Sequence, residues 1–159
     1  MAKKKQQDQK PREVRIANRK ARHDFFIIES VECGIELTGT EIKSLRAGQA
    51  KIDEAYARIQ GGQVFLIGSS FAHYAHAAGT LQHEVDRERR LLLHRRQIEQ
   101  LESHVRQKGK TLVPLAIYFA RGWAKVELGV AEGKRQFDKR ESIRKREQNR
   151  EMQRAMRHR

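Results

Sequence analysis

The chain has 159 residues, enough for one domain with tails, and a formal net charge of +14 at pH 7 with a sequence pI near 10.4. That balance suits a polyanionic partner, either nucleic acid or an anionic surface. Cys33 is the only cysteine, which excludes an intrachain disulfide and a thiolate zinc cluster. No apolar run reaches membrane-spanning length and MAKKKQQDQK lacks the apolar segment of a signal peptide, so the sequence reads as cytosolic.

The charge is unevenly placed. Residues 1–12 carry Lys3, Lys4, Lys5, Lys10 and Arg12 against Asp8. Residues 133–159 hold eleven Lys or Arg against Asp138, Glu141, Glu147 and Glu151. A nearly balanced body, residues 13–132, thus carries two basic arms.

Residues 1–12 are polar and closed by Pro11, the composition of a disordered arm. IANRKARHD is a basic lead-in to DFFIIESV (24–31), which has strand length and composition. Glu32-Cys33-Gly34 reads as a tight turn into IEL. The stretch GIELTGTEIKSLRAG then passes from strand alternation through Thr38-Gly39-Thr40 into a short helix, with Thr40 as N-cap and Gly48 as stop. Ile42 and Leu45 share one face of that helix, leaving Glu41, Lys43, Ser44 and Arg46 for the others.

IDEAYARIQ (52–60) and QVFLIGSSF form a hairpin around Gly61-Gly62. AHYAHAAGTLQHEVD reads as a short edge strand and a loop. Residues 87–109 are expected to be the one long helical region, with Leu91 to Leu93 as a separate turn ahead of it and Gly109 as C-cap. TLVPLAIYFARG and WAKVELGVAEG make a second long hairpin around Arg121-Gly122, and Pro114 implies an edge or a bulge. Beyond Gly133 no apolar stripe is wide enough to bury itself, so the segment is expected to be disordered or marginally helical when free.

Six or seven short strands with Gly-rich turns and two helices predict a mostly β domain, a small closed or partly closed barrel. Catalytic signals are weak. Gly109-Lys110-Thr111 lacks the earlier glycine of a phosphate loop and runs from helix to strand, the reverse of the required order. His73 and His76 have no third ligand close by. Asp53-Glu54 and Asp86-Glu88 have no acid–base partner in sequence, and Cys33 has no base beside it. The sequence implies no cofactor and no metal. The basic arms argue the other way, since each phosphate contact adds sequence-independent affinity. Phe137 lies among cations and Trp123 at a hairpin tip, placed either to stack on a base or to close a small local core.

IANRKARHDFFI, E-x-G-I-x-L-x-G-T-E-I-K-S-L-R-A-G, RRLLLHR, KGKTLVPL, KVELGVAEGK and DKR, in that order from about Ile16 to Arg146, resemble the SsrA-binding protein (small protein B) family. The resemblance implies an oligonucleotide-binding-like closed β-barrel with a basic C-terminal tail that becomes helical on the ribosome. It implies a non-enzymatic, monomeric adaptor in ribosome rescue that binds the tRNA-like domain of transfer-messenger RNA and stands in for the anticodon arm. The tail would enter the decoding centre and empty mRNA channel of the small subunit. Elongation factor Tu and alanyl-tRNA synthetase would be indirect partners.

By matching positions, the RNA face would comprise Asn18, Arg19, Lys20, Arg22, Glu32, Glu41, Lys43, Ser44, Arg46, Leu92, His94 and Lys125. Glu32 and Glu41 would orient cations or bind base or ribose donors rather than phosphate. The ribosomal set would be Gly133, as a hinge, with Lys134, Phe137, Asp138, Lys139, Arg140, Lys145 and Arg146. Two positions depart from the family pattern: Phe137 stands where His is usual, and Ala155-Met156 where a bulkier pair is expected. Two other classes fit the composition, a structural ribosomal protein with threaded arms and an RNA-modifying enzyme, the latter needing a site the sequence does not display.

Overall fold

The computed structural model describes residues 14–157 except residue 78, and only the backbone at 136, 137 and 157. The expected N-terminal arm, 1–12, lies outside the described residues. In chain order the elements are β1 (Arg15–Ala17), α1 (Ala21–Asp24), β2 (Phe25–Ile35), α2 (Gly39–Arg46), β3 (Ala50–Lys51), β4 (Tyr56–Gln60), β5 (Gln63–Ile67) and β6 (Ser70–Phe71). A 3-10 turn (Gly79–Leu81), β7 (Arg89–Leu92), α3 (Arg95–Val105), β8 (Lys110–Ala120), β9 (Trp123–Gly133) and α4 (Gln136–Arg157) complete them.

The architecture is mixed α/β around an antiparallel ring of strands. The strands follow the order β8-β4-β5-β7-β2-β9, and β9 pairs again with β8 to close the circle. β1 lies along the outer edge of β8, while β3 and β6 form a separate pair. The β8–β9 hairpin is the backbone of the ring. Its two-residue turn holds Arg121 and Gly122 at φ 52° and 82°, the left-handed pair that matches strand twist. The register slips at Pro114, between Pro114 and Ala116, so the proline sits at a bulge.

Leu45, Ile52, Val64, Leu66, Phe71, Leu112, Ile117, Val126 and Leu128 fill the ring interior, each almost wholly buried. Complete burial of one such leucine stabilises the fold by about 1.5–3 kcal/mol. A smaller cluster of Ala21, Val113, Leu115 and Ala131 packs outside β8 and β9 under α1. That second cover explains why β8 is buried on both faces from Leu112 to Ile117 instead of alternating.

Four expectations are corrected. Glu32-Cys33-Gly34 is no turn: β2 runs unbroken through it, paired with β9 as far as Gly34 and with β7 at Gly34 and Ile35. Leu91 and Leu92 belong to strand β7, not to a helical region, because Leu91 is needed inside the ring. The helix cap is Thr38, not Thr40, because Glu41 reaches back to the Thr38 N–H at 2.7 Å. Finally, residues 136–157 form helix α4 where a disordered tail was expected.

The last correction has a local cause. α4 is built of strong helix formers, is braced by Lys145–Glu141 at 2.9 Å, and starts from a fixed root. At that root the Lys134 N–H donates to the Asp24 carbonyl, Lys134 Nζ donates to the Arg22 carbonyl, and Lys139 pairs with Asp24 at 3.1 Å.

Candidate nucleic-acid interface

Helix α2 is fixed to the ring by an ion cluster. Glu41 is fully buried, and its carboxylate accepts from Arg87 Nε and Nη2 at 2.8 and 2.6 Å and from Arg89 Nε at 3.0 Å. Arg89, itself fully buried, also donates to the carbonyls of Ser69, Val85 and Arg87. Burial alone would raise the Glu41 carboxyl, but the Arg87 hydrogen bonds, the Thr38 N–H and the Arg89 charge outweigh it and hold the group below its ordinary value. At the far end of α2, Gly48 takes φ 72°, and the N–H groups of Gly48 and Gln49 close back on Leu45 and Ser44.

The helix therefore divides its polar residues. Glu41 and Ser44 face inward. Lys43 and Arg46 are exposed, Lys43 over the Tyr74 ring at 5.2 Å and Arg46 over Phe119 at 5.5 Å.

Five of the sequence-predicted residues come together on the outer face. A cleft of about 600 Å³ is lined by Glu32, Leu92, His94 and Lys125 together with Gln63, Arg90 and Gln97. A second cleft of about 630 Å³ adjoins it, with Arg46, Phe119 and Trp123 in its wall. Leu92, Gly34 and Lys125 belong to both. Trp123 is 74% exposed and closes no local core. His94 caps α3, its N–H accepted by Gln97 Oε1 at 2.9 Å. Lys125 Nζ lies 3.7 Å from Glu32 Oε1, and the Tyr118 hydroxyl donates to Glu32 Oε2, a bond that raises the phenol to about 12.

The lead-in residues lie elsewhere. Asn18 is buried as a brace: its amide donates to the Ile52 and Pro114 carbonyls, both at 3.0 Å, and its oxygen accepts from the Ala21 N–H. Arg19, Lys20 and Arg22 are exposed, and Lys20 pairs with Glu54 at 3.2 Å. Of the three, Arg22 lies at the root of α4, its carbonyl accepting from Lys134 Nζ beside the Lys139–Asp24 pair. Gly133 ends β9 opposite Phe25, while Arg140, Lys145 and Arg146 are exposed along α4. Phe137 is on that helix with its side chain outside the described residues.

The sequence reading missed Arg15, Tyr118, Arg87, Arg89 and His83. Tyr118 could have been found by counting back from the Arg121-Gly122 turn, which sets it opposite Lys125. His83 gave no signal: it is buried, with Nε2 donating to the Phe71 carbonyl and Nδ1 bound to Thr40 Oγ1 at 2.9 Å. Cys33 is buried inside β2, and that burial pushes its thiol up to about 12. Among the described residues no group of His, Cys, Asp and Glu could hold a metal ion, and no helix is long and apolar enough to cross a membrane.

A strand ring whose outer face gathers cations, an exposed tryptophan and a hydrogen-bonding cleft, with a basic helix at the other end, has the build of a nucleic-acid-binding module. Residues 15–158 match the SmpB protein family, and the chain belongs to it. It is 49% identical over 147 residues to the SsrA-binding protein of Salinispora arenicola, covering 92% of each chain. Identity to the SsrA-binding protein of Thermobifida fusca is 48%, over 100% of this chain and 99% of that one. A solved chain from a structure described as "tmRNA-SmpB: a journey to the center of the bacterial ribosome" superposes with a TM-score of 0.66 at 44% identity, over 82% of this chain and 95% of the other.

Proposed function

We propose that this protein is a non-enzymatic RNA-binding adaptor of trans-translation in the bacterial cytoplasm. The ring works as an oligonucleotide-binding-like barrel that holds the tRNA-like domain of transfer-messenger RNA. The outer face with Arg46, Leu92, His94 and Lys125 carries that contact, and the lead-in cations Arg19, Lys20 and Arg22 add phosphate contacts. Helix α4 enters the decoding centre and mRNA channel of a stalled small subunit, using Lys134, Phe137, Asp138, Lys139, Arg140, Lys145 and Arg146, with Gly133 as the joint. The protein acts as a monomer, and elongation factor Tu and alanyl-tRNA synthetase act on the same RNA. Binding is the whole mechanism.

The observation that carries this reading is the match along nearly the full chain to SsrA-binding proteins. The cationic double cleft supports it physically. A gel-shift titration against a tRNA-like transfer-messenger RNA fragment, with ordinary tRNA as competitor at two salt concentrations, tests it. Tight binding that resists competitor is expected, and Lys43→Glu with Arg46→Glu lowers the affinity. Equal affinity for both RNAs that collapses with salt would overturn the adaptor reading and favour a ribosomal protein with basic arms.

A further inference from the structure

Strand registers place five residues in one line across the outer face. Leu92 of β7 is opposite Gly34 of β2, Gly34 is opposite Lys125 of β9, Lys125 is opposite Tyr118 of β8, and Tyr118 is opposite Arg15 of β1. With strands roughly 4.8 Å apart, the row spans about 19 Å. Glycine at the second place leaves a gap in the row. A Cβ at Gly34 would stand 3.2 Å from Leu92 Cβ, so the gap is bounded by that side chain. Leu92 rises beside it 49% exposed and separates the two clefts. An exposed leucine between two cavities of this size, flanked by cations, is placed as a wedge, and apolar wedges part stacked bases.

We propose that the notch over Gly34 seats one nucleobase turned out of its stack by Leu92, and that this base is guanine. The inference rests on the RNA-binding reading above and deepens it by naming the recognised group. Glu32 selects the base. An ionised carboxylate only accepts hydrogen bonds, and guanine alone offers two adjacent N–H donors, N1 and N2, on one edge. The Tyr118 hydroxyl occupies one site on Glu32 Oε2 and the Lys125 ammonium stands 3.7 Å from Oε1, which holds the group in place while leaving lone pairs for the base. Tyr118 is thus a positioning residue. Arg15, whose guanidinium lies 5.1 Å from the Tyr118 ring and 2.8 Å from Glu127, steadies the far end of the row. The neighbouring base enters the second cleft, where Trp123 and the Arg46–Phe119 pair offer stacking surface.

The test is chemical probing of the tRNA-like transfer-messenger RNA fragment, free and bound to the full-length protein. On binding, one loop guanosine should gain sugar acylation, as an unstacked nucleotide does, and lose kethoxal modification of its N1–N2 edge. Leu92→Ala, a surface change that spares the core, should abolish the acylation signal and weaken binding about tenfold. Gly34→Ala should do the same, because its Cβ narrows the notch and crowds the Leu92 side chain at 3.2 Å from Cβ and 3.4 Å from Cδ1. Glu32→Gln should abolish the preference for guanosine over inosine at that nucleotide, and Tyr118→Phe should reduce it. Wild-type binding with no such guanosine, or an unchanged profile in Leu92→Ala and Gly34→Ala, overturns the notch while the adaptor reading stands. A wild-type protein that does not prefer the fragment to ordinary tRNA overturns both.

Discussion

Glu41 illustrates how a single residue can govern an exposed surface without reaching it. Its carboxylate is fully buried, yet it fixes Arg87, Arg89 and the first turn of the helix that displays Lys43 and Arg46. Replacing it with Gln leaves Arg89 buried without its counter-charge. We expect a loss of about 3–5 kcal/mol in urea unfolding, the usual result of breaking a buried pair from one side. The pH dependence follows from the depressed carboxyl. Its contribution is complete above the ordinary glutamate value of 4.5 and is lost as pH falls below that and through the lower folded value. Wild-type unfolding free energy should therefore drop through this acid window more steeply than in Glu41→Gln. Parallel pH profiles would show that the cluster contributes nothing.

Among the elements, the β8–β9 hairpin and α4 behave in opposite ways. The hairpin is over-determined, with buried residues along both strands and a turn whose backbone fits only one register. Among the described residues α4 is anchored at its root, by Lys134 just ahead of it on the Arg22 carbonyl and by Lys139 on Asp24, whose carboxyl is lowered by hydrogen bonds from His23 and Lys139. Deleting residues 134–159 should leave the ring folded, with an unchanged urea midpoint and retained binding to the tRNA-like fragment, while peptide tagging on stalled ribosomes disappears. A truncated chain that fails to fold would show that α4 is part of the body.

For the whole molecule, the consequence is a separation of ends. Gly34 and Phe25 are nine residues apart along β2, roughly 30 Å, with the double cleft at one end and the root of α4 at the other. Sites that far apart with no shared partner act independently. Leu92→Ala should therefore lower RNA affinity by the same factor, within about twofold, in the full-length and truncated proteins. A larger discrepancy in the titration would mean that α4 reaches the cleft.

What the sequence determined on its own is local. Glycine turns and strand alternation are short-range chemistry, so the β4–β5 and β8–β9 hairpins, the short helix α2 and an antiparallel arrangement of strands were legible, whereas Thr40 was taken for the Thr38 cap and Tyr118 was passed over. The family motifs were legible too, because they lie in order along the chain. Tertiary structure alone decided the rest. Leu91 had to point into a closed ring before Leu92 could stand outside it, and only that closure set Leu92 beside Gly34 and Lys125. Burial, which depends on what covers a residue from elsewhere in the chain, turned Glu41, Ser44 and Asn18 inward although their chemistry resembles that of the exposed residues around them.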